Sequence, residues 1–173
     1  GSWAKTTRVT GIWGVNSSGG GLFQPPTVTQ SAYNSGSNPD ERGVRITVPF
    51  NCTVIGAWGM IDTDANVGLK LYLPSGSSVA CSLGANFRPA ANIGIFTVWC
   101  SPYSAQEGDQ FIVSAAPTTT TSITAVLYDS NVVNHSILRT VCIPGYSYIQ
   151  GVQRVDGGSW TTNNNPFVGG LII

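Results

Sequence analysis

The stretch SAAPTTTTSITAVLYD, residues 114–129, decides the fold class. Upstream of its proline, in QFIVSAA, Phe111, Val113 and Ala115 share one phase, and Gln110 and Ser114 take the other. Downstream, Ile123, Ala125 and Leu127 alternate with Thr124 and Tyr128. A period of two on both sides of a short break reads as consecutive β-strands. Pro117 cannot donate to a ladder and belongs at a strand end, and threonine favours extended backbone. Residues 118–121 are therefore expected in a hairpin connection inside one domain.

The same alternation recurs along most of the chain. GVRITVPF puts Val44, Ile46, Val48 and Phe50 on one face, with Arg45 and Thr47 outside. In TVIGAWGMI, Val54, Trp58 and Met60 share a phase. GLKLYL buries Leu69, Leu71 and Leu73 and exposes Lys70 and Tyr72. PSGS reads as a tight turn, and SVACSL returns the chain. IGIFTVWC, DQFIVSA, SITAVLY, SILRTVCI, SYIQGVQRV and FVGGLII continue the series. About nine or ten short strands at intervals of roughly ten residues mark a sandwich or barrel. The expected fold is all-β: an antiparallel β-sandwich, of jelly-roll type, over residues 41–173. An up-and-down barrel is the alternative. Residues 1–40 are rich in Gly, Ser, Asn and Pro and read as an irregular N-terminal arm, with one strand in TTRVTGIWGV.

Composition narrows the setting. Only 9% of the 173 residues are charged, and eight basic residues balance eight acidic ones. There is no basic stripe for nucleic acid and no apolar run long enough to span a membrane. Gly, Ser, Thr and Asn supply the polar surface, which suits an extracellular or virion protein. Of the four cysteines, Cys81 shares a phase with Val79 and Leu83, and Cys100 with Phe96 and Val98. Both are expected to face the core. Cys81 and Cys100 act there as buried thiols or form a bridge across neighbouring strands.

Catalytic patterns are sparse, and no enzyme or cofactor is expected. His135 is the only histidine, and no G-x-S-x-G elbow accompanies it. Most of the carboxylates fall in predicted turns, where Asp commonly bonds its own backbone. DTDANVG begins with calcium-loop spacing, so Asp62, Asp64 and Asn66 form a weak metal candidate. The glycine comes one place late, at Gly68, and Leu73 stands where a bidentate acid belongs.

RVDGGSWTTNNNPF, residues 154–167, carries the binding candidate. An aromatic plate beside neutral amides suits a sugar: the ring face takes C–H groups and the amides take hydroxyls. The expected carbohydrate contacts are Trp160, Asn163, Asn164, Asn165 and Asp156. So little charge in this loop implies binding that is insensitive to salt. In the other reading, Trp160 plugs the end of the core.

ERGVRITVPFNCTVIGAWGMIDTDANVGLKLYLPSG, GDQFIVSAAPTTTTSITAVLYD and RVDGGSWTTNNNPFVGGLII together resemble β-sandwich modules of predicted phage tail-fibre and other virion-associated proteins. The resemblance spans residues 41–173. It implies a virion surface protein, trimeric, that binds host-surface glycan or decorates the particle beside other virion proteins. It brings no catalytic residues with it. Trp3, Trp13, Leu22 and Phe23 in the arm need cover, which a neighbouring subunit would supply.

Overall fold

The structure, a computed structural model, describes residues 28–33, 40–61, 67–76, 78–83, 94–117, 123–128 and 149–173. Among these, every regular element is a strand. In chain order they are β1 (Val28–Tyr33), β2 (Glu41–Thr47), β3 (Cys52–Ile61), β4 (Val67–Tyr72), β5 (Val79–Leu83) and β6 (Gly94–Ala105). Next come β7 (Gln110–Pro117), β8 (Ile123–Tyr128), β9 (Ile149–Arg154), β10 (Thr161–Thr162) and β11 (Gly169–Ile172). All paired neighbours are antiparallel, and they form two packed sheets.

One sheet has six strands in the order β10-β9-β2-β7-β4-β5. The other runs β1-β8-β3-β11, with β6 also pairing with β3. The pairs β1 with β8, β2 with β7, β3 with β6, and β4 with β5 nest inside one another along the chain. This is the pattern of one long antiparallel ribbon folded over on itself.

β7 and β8 therefore lie in different sheets. They do not pair with each other, so they do not form the expected hairpin. Alternation shows which side of a strand is apolar but carries no information about its hydrogen-bonding partner. Residues 118–121 themselves, Asp62, Asp64 and Asn66, His135, Cys142 and the SILRTVCI segment lie outside the described residues. So do Trp3, Trp13, Leu22 and Phe23. β1 falls inside the segment read as an irregular arm, and its full length pairs with β8.

The core between the sheets holds Val44 and Val48 from β2 and its exit, Val54 and Ala57 from β3, and Leu69 and Leu71 from β4. Val98, Phe111, Val113, Ala115, Leu127 and Phe167 also belong to it. Burying each large aliphatic or aromatic side chain contributes roughly 1.5–3 kcal/mol before chain entropy is counted.

Three phase assignments are corrected by local backbone geometry. Where β3 pairs with β6 the register shifts between Val54 and Gly56, with the extra residues on β6; along β3, Val54 and Ala57 are buried while Trp58 and Met60 are only partly covered. A second shift, at Leu71 and Tyr72, pairs Cys81 with Leu71 and Val79 with Tyr72, which leaves Val79 exposed. A bulge adds one residue to one strand and reverses the face of every residue beyond it. Phe50 lies beyond the end of β2 and is exposed.

Cys52, Cys81 and Cys100 are free thiols packed against the core. Cys81 and Cys100 are hydrogen-bonded neighbours, as their phases imply, but they meet across the two sheets. β5 and β6 are each an edge strand of their sheet.

Candidate functional site

The back of the six-stranded sheet, away from the core, carries a second apolar cluster of Tyr72, Ile112 and Val152, with Trp160 packed on it. Antiparallel register explains the grouping. Arg45 lies opposite Ile112 on one side and Gln150 on the other, and Ile112 lies opposite Tyr72. These residues share one row of one face.

Into this face the chain places a buried charge. Glu41 is fully buried, and its carboxylate accepts from four side chains. The Tyr72 hydroxyl donates to it at 2.8 Å and the Ser114 hydroxyl at 2.6 Å. Arg154 donates through Nε at 3.1 Å and also through Nη2, and Lys70 Nζ lies at 3.4 Å. Arg154 Nη2 also donates to the Tyr72 hydroxyl at 2.7 Å. One acid thus ties β2, β4, β7 and β9 together. Tyr72, expected outside, is buried because this network and Trp160 cover it.

Trp160 reaches the network from the segment after β9. Its ring meets Tyr72 edge-on at 5.4 Å, and the Arg154 guanidinium lies 5.0 Å from the indole centroid. Its indole N–H donates to the Gly76 carbonyl at 3.0 Å, which joins the segment to the β4–β5 turn. That turn is the PSGS expected from sequence: Gly76 N–H donates to the Leu73 carbonyl, with Gly76 at φ +70°. The Asp-Gly turn is also present. Asp156 and Gly157 have φ of 50° and 67°, and Gly158 N–H donates to the Val155 carbonyl. Two successive left-handed residues make a type I′ reversal, which an Asp-Gly pair accommodates.

Between these two turns lies a groove of about 530 Å³. Arg45, Gln110, Ile112, Arg154 and Trp160 line it, together with Gly157, Gly158, Ser159 and the β4–β5 turn. Of the five binding residues expected from sequence, Trp160 lines the groove and the other four do not. Asp156 is exposed, and its backbone N–H donates to Asp40 Oδ1 at 2.8 Å. Asn163 is committed to the fold: its amide donates to Gln153 Oε1, its N–H to the Gly151 carbonyl, and its Oδ1 accepts from Asn165 N–H. Asn164 is exposed. The asparagines pass over the edge of β9, where a Cβ on Gly151 would stand 2.2 Å from the Asn163 carbonyl oxygen. Close backbone contact there requires glycine. From that crossing Phe167 enters the core, and β11 joins the other sheet.

Arg45, Gln110, Arg154 and Glu41 are not legible in the sequence as site residues. Arg154 opens the stretch that carries the binding candidate without being among its expected contacts; no local motif surrounds the other three, and sheet register brings the four together. By sequence Glu41 groups with the turn carboxylates, yet it opens a strand. Among the described residues, no cluster of His, Cys, Asp or Glu could hold a metal ion.

Two titrations bear on stability. Burial foremost, then the Glu41 carboxylate, push the Tyr72 hydroxyl well above its ordinary 10.0. Burial, with Cys100 beside it, pushes the Cys81 thiol from 9.0 up to about 12. Both favour the proton-bearing form in the folded chain. Their stabilisation is whole below about pH 9 and is lost as pH rises, because the unfolded chain releases these protons first. The urea midpoint is expected to stay flat from about pH 7 to 8 and to fall from about pH 9 upward. Tyr72→Phe should remove part of that fall. A midpoint unchanged to about pH 11 would contradict this linkage.

No family model, curated protein or solved structure matches the chain.

Proposed function

We propose that the chain is a virion surface module of tail-fibre type that binds host-surface carbohydrate through the Trp160 groove, on a jelly-roll sandwich. The nested strand order supports the jelly roll, since eight strands folded as two Greek keys produce that pairing. The sequence resemblance supports the virion setting. The observation that carries the binding reading is the groove itself. It is concave, it presents a partly exposed tryptophan packed on buried Ile112, and the rest of its lining is mostly polar.

The proposed role is non-catalytic. Affinity for one site is expected to be about millimolar to micromolar, with avidity in a multimeric fibre supplying the rest. A glycan array with the wild-type chain tests this. A defined set of positive glycans supports the reading, and silence across a broad array sinks it.

A second reading, a structural or oligomerisation module, is favoured by a different face. Ile95 and Trp99 on β6 are each 63% exposed, and by register Ile95 lies opposite Met60 on β3. Apolar side chains grouped on one sheet face need cover. A trimer of this chain would provide it. Light scattering at micromolar concentration should report three copies, and Trp99→Arg should shift the mass towards one. A wild-type monomer would remove this reading.

A further inference from the structure

We propose that the Trp160 groove takes a carboxylate-bearing saccharide, with Arg45 as the anchor for the acid group; this rests on the carbohydrate reading above. The groove is lined by two arginines and by no carboxylate. The two cations differ in availability. Arg154 is committed to Glu41 through both Nε and Nη2, so its charge is matched inside the sheet. Arg45 donates through Nη1 to the neutral Gln150 amide oxygen at 3.2 Å. Among the described residues no acid pairs with it.

Among the described residues, no carboxylate of the groove's lining offsets the Arg45 charge, and Trp160 stands beside it as a wall. A neutral sugar would use the wall and leave the charge without a partner. A sugar acid uses both, because a guanidinium fork matches a carboxylate in two parallel hydrogen bonds. Gln110, also on the lining, adds an amide that can read a hydroxyl. The nearly neutral loop 156–165 implies salt-insensitive binding. Arg45, brought in from β2, reverses that expectation for this ligand class.

The test uses matched probes that differ only in charge: oligogalacturonate against its methyl ester, and sialyllactose against lactose. Calorimetry with the full chain is expected to show at least one acid bound about tenfold more tightly than its neutral partner. Binding should weaken several-fold between about 50 and 500 mM salt. Arg45→Gln should erase the preference for the acid, and Arg45→Lys should keep part of it, since a point charge replaces the fork. The thermal midpoints of both variants report that they remain folded. If neutral partners bind as well as acids, the carboxylate assignment fails and the carbohydrate reading stands. If no probe of either kind binds, the carboxylate assignment fails, and the broad glycan array decides the carbohydrate reading. If single-stranded DNA competes as well as the acids do, Arg45 is a general anion contact and the proposal is overturned.

Discussion

Glu41→Ala is expected to lose about 3–5 kcal/mol of folding stability, the typical cost of removing one partner from a buried ion pair. The carboxylate is fully buried, and the loss leaves Arg154 facing Tyr72 and Ser114 with no anion between them. The two hydroxyls also lose their acceptor, and each orphaned group adds a desolvation penalty. Glu41→Gln keeps the shape and one acceptor oxygen, so its loss should be smaller. Changing Glu41 and Arg154 together to apolar residues should restore much of the deficit, because the charges then leave as a pair. Urea unfolding of the three variants measures this. A loss under about 1 kcal/mol for Glu41→Ala would show that the network contributes little, as exposed ion pairs do.

Trp160→Ala should have two consequences that separate in different variants. The side chain packs on Tyr72, Ile112 and Val152 and donates to the Gly76 carbonyl, so its loss should cost about 2–3 kcal/mol. The same change removes a groove wall and should abolish saccharide binding. Trp160→Phe retains a ring against Tyr72 and loses only the N–H donor, for about 1 kcal/mol. Under the binding proposal, the phenylalanine variant folds and keeps weakened binding. If it folds with only that small loss yet the wild-type chain itself binds no glycan, Trp160 is a cover for the Glu41 network and nothing more. A drop in stability for Trp160→Ala alone does not separate these readings, since the ring is packed in either case.

Much of the strand content was legible because alternation is a local property. β2, β4, β7 and β9 appear in the sequence as alternating runs, but their burial does not alternate, because the outer face is covered as well and Glu41, Thr47, Tyr72 and Ser114 are buried on it. The Asp-Gly and Pro-Ser-Gly turns were legible for the same reason, since their glycines answer a local demand for positive φ. The irregularities in β6 and β5 were not, because an extra residue in a ladder is defined against the partner strand.

The sequence by itself determined that this protein is built of antiparallel strands around an apolar core, with a tryptophan in a polar loop after β9. Those features come from spacings of a few residues, which the chain carries wherever it goes. Only the tertiary structure decided that β7 and β8 belong to different sheets, because partner choice depends on strands far away in sequence. It also decided the electrostatics of the groove. Arg45 and Trp160 are far apart in the chain, yet they line one groove because β9 pairs with β2 and the segment after it folds back over their outer face. A loop that is nearly neutral in sequence thereby acquires a charged neighbour. Tyr72 passes from a surface position to a buried one by the same route: the period assigned its face correctly, and the returning chain covered that face.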